Sequence, residues 1–159
     1  MRRRIVLSAF TLAFVVVAAL TVEGQSLMGA WKVNAAKSTY SPAVPPGNSQ
    51  TSTWEDLGGG QFKNTIDVVD AKGQSRRFEI VLRFDDGVDY PMRGADRPTT
   101  RTYKRLNDLD FEYVEKVNGK VTMTSRSVTA PDGKTRTNTT AGTDAQGQPV
   151  KNVVHWERQ

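Results

Sequence analysis

The chain has 159 residues, of which 22 are Lys or Arg and 17 are Asp or Glu, with a formal net charge of +5, one His and no Cys. The lack of Cys excludes a disulfide scaffold, a thiolate metal site, a thiol nucleophile and an acylated cysteine anchor. Basic and acidic residues are interleaved along the chain, without the clustered basic face of a nucleic-acid binder, so no nucleic-acid partner is expected.

Arg2, Arg3 and Arg4 precede an uncharged run over residues 5–22, closed by Glu23 and followed by Gly24, Gln25 and Ser26. A basic start, an apolar stretch and small residues near a cut form the pattern of a secretory signal. Residues 1–24 are therefore predicted to be a signal helix, cleaved before Gln25, with Val22 and Gly24 as the small residues. The alternative is a retained anchor, because the run approaches the roughly 20 residues that cross a bilayer. Ser8, Thr11 and several Ala within it favour cleavage, which leaves no membrane span. The remaining domain, residues 25–159, keeps 19 basic and 16 acidic residues, a net charge of +3. Export without disulfides fits a bacterial periplasm or exterior. A domain of about 135 residues buries roughly two thirds of its unfolded surface, enough for one core.

From residue 29 onward, short runs of period-two alternation are bounded by turn dipeptides. The first predicted strand covers residues 30–34. Residues 35–49, with Pro42, Pro45 and Pro46, read as a long loop with room for a helical turn. Strands over 50–57 and 61–69 flank Gly58-Gly59-Gly60. The clearest strand spans 74–84, where Phe78, Ile80, Leu82 and Phe84 alternate with Glu79, Val81 and Arg83. Asp85-Asp86-Gly87 then turns the chain into a short piece over 88–92. Further strands over 99–106 and 109–117 follow, joined at Asn107-Asp108. Asn118-Gly119 is the strongest hairpin signal, a two-residue turn that requires positive φ. Strands over 120–130, 134–141 and 148–158 complete the chain. The fold expected is an all-β, antiparallel up-and-down barrel of about 8–10 strands after the N-terminal signal helix. A membrane barrel would need a lipid-facing apolar band on every strand, and the Thr-rich run over 134–141 has none.

Gly29-Ala30-Trp31 at the first strand is similar to the Gly-x-Trp opening of lipocalins and fatty-acid-binding proteins, together the calycins. The order and spacing of the strands around Asn118-Gly119-Lys120, Asp132-Gly133-Lys134 and the ending Trp156-Glu157-Arg158 resemble the last four strands of a fatty-acid-binding protein. The resemblance implies a barrel that holds a small apolar or amphiphilic ligand. It departs in two places. The loop over 35–49 is too short for the family's helix–turn–helix lid. Of the family's two Arg and one Tyr that hold a carboxylate, only Arg126 has a counterpart, because Val154 and Trp156 fall where the last strand should carry Arg and Tyr.

The candidate ligand-binding residues are Arg126, Tyr103, Tyr113, Phe78, Phe111 and Trp156. Arg126 and Met123 have opposite parity, so both face inward only across a bulge. A buried Arg126 would need Glu112, Glu115 or a ligand head group as partner. Trp31, Trp54 and Trp156 read as core or barrel-end plugs. No nucleophile elbow or Ser-x-x-Lys pair occurs, and the Asp pairs sit at turns, where they bond their own backbone, so no enzyme and no cofactor are expected. Nitrobindins are similar barrels that hold haem through a His near the C-terminus, but alternation points His155 outward here. Two readings remain. One is a carrier or sensor with a small ligand inside. The other is a filled barrel that serves as an envelope or extracellular interaction module. The sequence leaves the oligomeric state open.

Overall fold

The alternating runs and the turn residues between them fold the chain into ten antiparallel strands. They are β1 (Gly29–Val33), β2 (Ser49–Gly58), β3 (Gln61–Val69), β4 (Ser75–Leu82), β5 (Tyr90–Pro91), β6 (Thr99–Arg105), β7 (Phe111–Val117), β8 (Lys120–Thr129), β9 (Thr135–Thr143) and β10 (Pro149–Arg158). The computed structural model describes residues 27–42, 49–144 and 146–159. The expected signal helix and its cleavage site lie outside them. The order β4-β3-β2-β1-β10-β9-β8-β7-β6-β5 is an up-and-down meander in which β1 meets β10. Among the described residues no helix is long and apolar enough to cross a membrane.

A short seam brings β4 to the end of β5 and nearly closes the sheet. The Glu79 amide donates to the Arg93 carbonyl at 3.1 Å, and the Arg93 amide donates back at 2.8 Å. Gly94 makes this approach possible. Its φ is +84°, and a Cβ there would lie 2.0 Å from the Arg77 carbonyl oxygen, so only glycine fits. Asn118 and Gly119 adopt φ of 50° and 76°, the left-handed pair that a two-residue hairpin demands.

Several strand ends differ from the predicted ones for local reasons. β7 begins at Phe111 because the Asn107 side-chain oxygen accepts from the Leu109 amide at 2.8 Å and the Asp110 amide at 2.9 Å. These bonds hold the turn through residue 110. Within the loop after β1, Ala35–Lys37 forms one 3₁₀ turn, capped by the Asn34 side chain accepting from the Lys37 amide. The chain then runs along β10, where Thr39 bridges Val153. The described part of this loop therefore extends the wall, and residues 43–48 lie outside the description.

Strand parity places Trp54, Ile80, Leu82, Tyr103, Phe111 and Trp156 inside, all buried. One end of the barrel is plugged. Trp31 is fully buried there, with the Arg136 guanidinium 3.9 Å and the Arg158 guanidinium 4.4 Å from its ring. Trp54, Phe84, Tyr103 and Phe111 pack against one another, mostly edge-on or tilted, with centroid separations of 5.1–6.2 Å, and Arg105 lies over Phe84 at 4.6 Å. The outer wall carries ion pairs across neighbouring strands. Lys63 sits between Glu55 and Glu79, and Arg77 meets Asp67. Arg126 meets Glu112 on the same surface. Such exposed pairs contribute little individually to stability.

Candidate functional site

The inner surface of the barrel has two characters. β4, β6 and β7 supply aromatic and aliphatic side chains. β2, β3, β8 and β9 supply Ser52, Asn64, Ser125, Ser127, Arg136 and Thr140, all buried. The polar wall is partly self-satisfied. Asn64 Nδ2 donates to Ser52 Oγ at 2.8 Å, and Thr140 Oγ1 donates to Ser125 Oγ at 2.9 Å.

Between the two walls lies an inner cavity of about 80 Å³. Four buried polar atoms of its lining lack a hydrogen-bond partner: Tyr103 Oη, Arg136 Nε, Asn138 Oδ1 and Trp156 Nε1. Buried polar groups are ordinarily paired, so four orphans around one void mark a place built to receive polar atoms. At about 30 Å³ per water, the void holds two or three waters or one small polar group.

Arg136 dominates the electrostatics of this cavity. It is 3 % exposed, and its NH2 donates to the Leu27 carbonyl at 3.1 Å. Among the described residues no carboxylate stands within ion-pair distance of it. Burial, followed by the charge of Arg158, pulls its pKa down to about 9, against a smaller pull from Asp110. It remains a cation at neutral pH. A buried cation without a paired anion is costly, and an anion entering the cavity would relieve that cost. Burial also pushes the Tyr103 hydroxyl up to about 12, against the pull of Arg101. Tyr103 is therefore a neutral donor across the physiological range.

Arg101 forms the upper boundary of the inner cavity. It lies over the Tyr113 ring at 4.3 Å, and its Nε and NH2 donate to Glu115 Oε2 at 2.9 and 2.7 Å. Glu115 in turn lines a second cavity of about 430 Å³ at the opposite end from the plug, together with Phe78, Met92, Val117 and Met123. The ion pair thus stands between the inner cavity and the mouth.

Of the residues expected from the sequence, Tyr103, Tyr113, Phe111 and Trp156 line the inner cavity. Phe78 lines the mouth. Arg126 does not face inward. The bulge in β8 falls beyond Met123, where Glu115 pairs with Met123 and Lys116 with Val121. Residues 123, 125, 127 and 129 therefore share the inner face, and Arg126 is turned out. Its side chain is 60 % exposed, 3.5 Å from Glu112. His155 also faces outward, with Nδ1 3.2 Å from Thr137 Oγ1.

Sequence reasoning missed Arg101, Arg136 and Asn138. The run containing Arg136 and Asn138 reads as a solvated Thr-rich strand. Its register shows otherwise, since Arg136 pairs with Trp156 and Asn138 with Val154 on β10. Residues directly opposite in a ladder share a face, so the apolar parity of β10 carries these polar side chains inside.

In sequence, no family model and no curated protein matches the chain. In structure, it is similar to a mutant of the fluorescent protein UnaG, with 14 % identity and a TM-score of 0.54 over 83 % of this chain and 95 % of that one. A second similar structure, the siderocalin Ex-FABP, is described as having dual ligand specificities. It is 12 % identical with a TM-score of 0.42, over 84 % of this chain and 74 % of that one. The fold is calycin-like: an antiparallel up-and-down barrel whose first and last strands pair.

Proposed function

We propose that this is an exported carrier or sensor that binds a small amphiphile within the barrel, its polar or anionic head group in the inner cavity and its apolar part toward the mouth. The observation that carries the reading is the convergence of four unpartnered polar atoms, on Tyr103, Arg136, Asn138 and Trp156, upon one void. The void of about 80 Å³ suits a head group alone. The mouth, at about 430 Å³, has the size of an ordinary ligand pocket. Tyr113, Phe111 and Trp156 supply apolar contact beside the head group, and Phe78 supplies it in the mouth. Arg126 has no part in this site. The basic and apolar start over residues 1–24 supports export to a periplasm or exterior. Binding is favoured over catalysis because, among the described residues, the inner cavity is lined by no His, Asp or Glu, the usual general bases at neutral pH, and burial keeps the Tyr103 hydroxyl protonated.

Protein purified from its native host is expected to carry an extractable small molecule, visible as a mass adduct in native mass spectrometry. Dodecanoate is expected to change the fluorescence of Trp54 and Trp156, which border the cavity. If native protein has no adduct and dodecanoate changes neither fluorescence nor mass, the reading fails. The second reading, a filled barrel acting as an envelope or extracellular interaction module, is favoured by the small inner void. That null result would establish it instead.

A further inference from the structure

We infer that Glu115 is a built-in competitor for the ligand's anionic head, and that its ion pair with Arg101 is the inner door of the barrel. This rests on the proposed ligand chamber and adds how that chamber is entered and which charge it selects. The two cavities meet at this pair: Arg101 borders the inner one and Glu115 borders the mouth. Both guanidinium bonds from Arg101 go to the single oxygen Oε2, at 2.9 and 2.7 Å. The side chains are only 14 % and 11 % exposed, so solvent screens the pair weakly.

An amphiphile whose head reaches the inner cavity must pass this point. Stacking on Tyr113 holds the Arg101 guanidinium in place, which makes Glu115 the movable partner. A neutral molecule that displaced Glu115 would leave Arg101 buried and unpaired, at high cost. An anionic head group takes the carboxylate's place on Arg101, which lines the inner cavity, so the arginine stays paired while Glu115 turns to the mouth. The door therefore discriminates by charge. It passes carboxylate-bearing amphiphiles and holds back neutral ones of the same length. In this structure Glu115 occupies the arginine and stands between the inner cavity and the mouth.

The test compares dodecanoate with dodecanol, followed by tryptophan fluorescence and native mass spectrometry, in the wild type and in Glu115→Gln. The glutamine keeps the shape but removes the competing charge. Dodecanoate affinity is expected to rise about tenfold in the variant, and dodecanol affinity by less than twofold. Wild-type protein gives a second reading that needs no variant. The observed binding rate should level off at high dodecanoate concentration, because opening of the pair limits it. An unchanged or weaker dodecanoate affinity in Glu115→Gln overturns the inference, as does an equal gain for dodecanol or a rate that rises linearly throughout. In those cases the ligand chamber stands without a door. Absence of dodecanoate binding to both proteins overturns the chamber and the door together.

Discussion

Replacing Arg136 by Met should stabilise the protein and impair its binding. The wild-type guanidinium is 3 % exposed, and its pKa, pulled to about 9 by burial and by Arg158, lies well below the ordinary arginine value. That gap corresponds to about 5 kcal/mol held against the charged form. Two interactions oppose it. The cation–π contact with Trp31 at 3.9 Å contributes about 2 kcal/mol in a desolvated setting. The charge-assisted bond to the Leu27 carbonyl contributes about 2 kcal/mol. Removing the arginine does not orphan that carbonyl, because Trp31 Nε1 also donates to it, at 3.2 Å. Met is flexible and apolar and fills the space over the Trp31 ring. The net gain is about 1 kcal/mol, a rise of roughly 4 °C in Tm for a domain of this size. Scanning calorimetry measures it, and a dodecanoate titration on the same sample should show at least tenfold weaker binding. A fall in Tm of several degrees would show that the Trp31 contact outweighs the cost of burial. Unchanged dodecanoate affinity would remove Arg136 from the site.

Three further perturbations separate the remaining roles. Tyr103 ionises near 10 when unfolded but only at about 12 when folded, so the unfolded state releases its proton first and stability falls as pH rises through that window, by about 3 kcal/mol. Urea unfolding at pH 7 and pH 11, midway through the window, should show about half of that loss in the wild type and a correspondingly smaller one in Tyr103→Phe. Any contribution from Arg136 is common to both proteins and cancels, and equal losses would refute the assignment. Gly94→Ala forces a Cβ onto the Arg77 carbonyl at the β4–β5 seam and should cost about 3 kcal/mol. Amide exchange should quicken first at Glu79 and Arg93, whereas stability within about 0.5 kcal/mol of wild type would show that the seam gives way easily. Arg126→Leu removes only an exposed pair with Glu112. It should leave dodecanoate affinity within twofold and stability within about 0.5 kcal/mol, and a large loss of binding would move the site to the outer wall.

The strands were legible because each carries its own signal. Phe78, Ile80 and Leu82 repeat at period two, and Asn118-Gly119 or Asp132-Gly133 ends a strand with turn chemistry that few other residues supply. The burial of Trp31, Trp54 and Trp156 was legible for the same local reason, since large aromatics are rarely left in water. The boundaries at residues 107–110 were not, because a single Asn107 side chain decides where the turn gives way to β7. The seam at Glu79 and Arg93 was hidden as well. Nothing near Gly94 announces that its missing Cβ makes room for a carbonyl seventeen residues earlier in the chain.

The polar site was harder to read, and the reason lies in how a ladder transmits parity. Arg126 stands on a strand whose bulge lies beyond Met123, and one unpaired residue sets which side of the wall every later side chain occupies. Arg136 and Asn138 stand among Thr residues that alternate with nothing apolar, so β9 read alone has no inside. Its parity comes from its neighbour. β10 places Val154 and Trp156 inward, and the register lays Asn138 and Arg136 directly across from them. A polar strand of a small barrel should therefore be read in register with its most apolar neighbour. Read in that way, Arg136 pairs with Trp156 across the β9–β10 ladder, and the wall that looked solvated becomes the lining of the cavity.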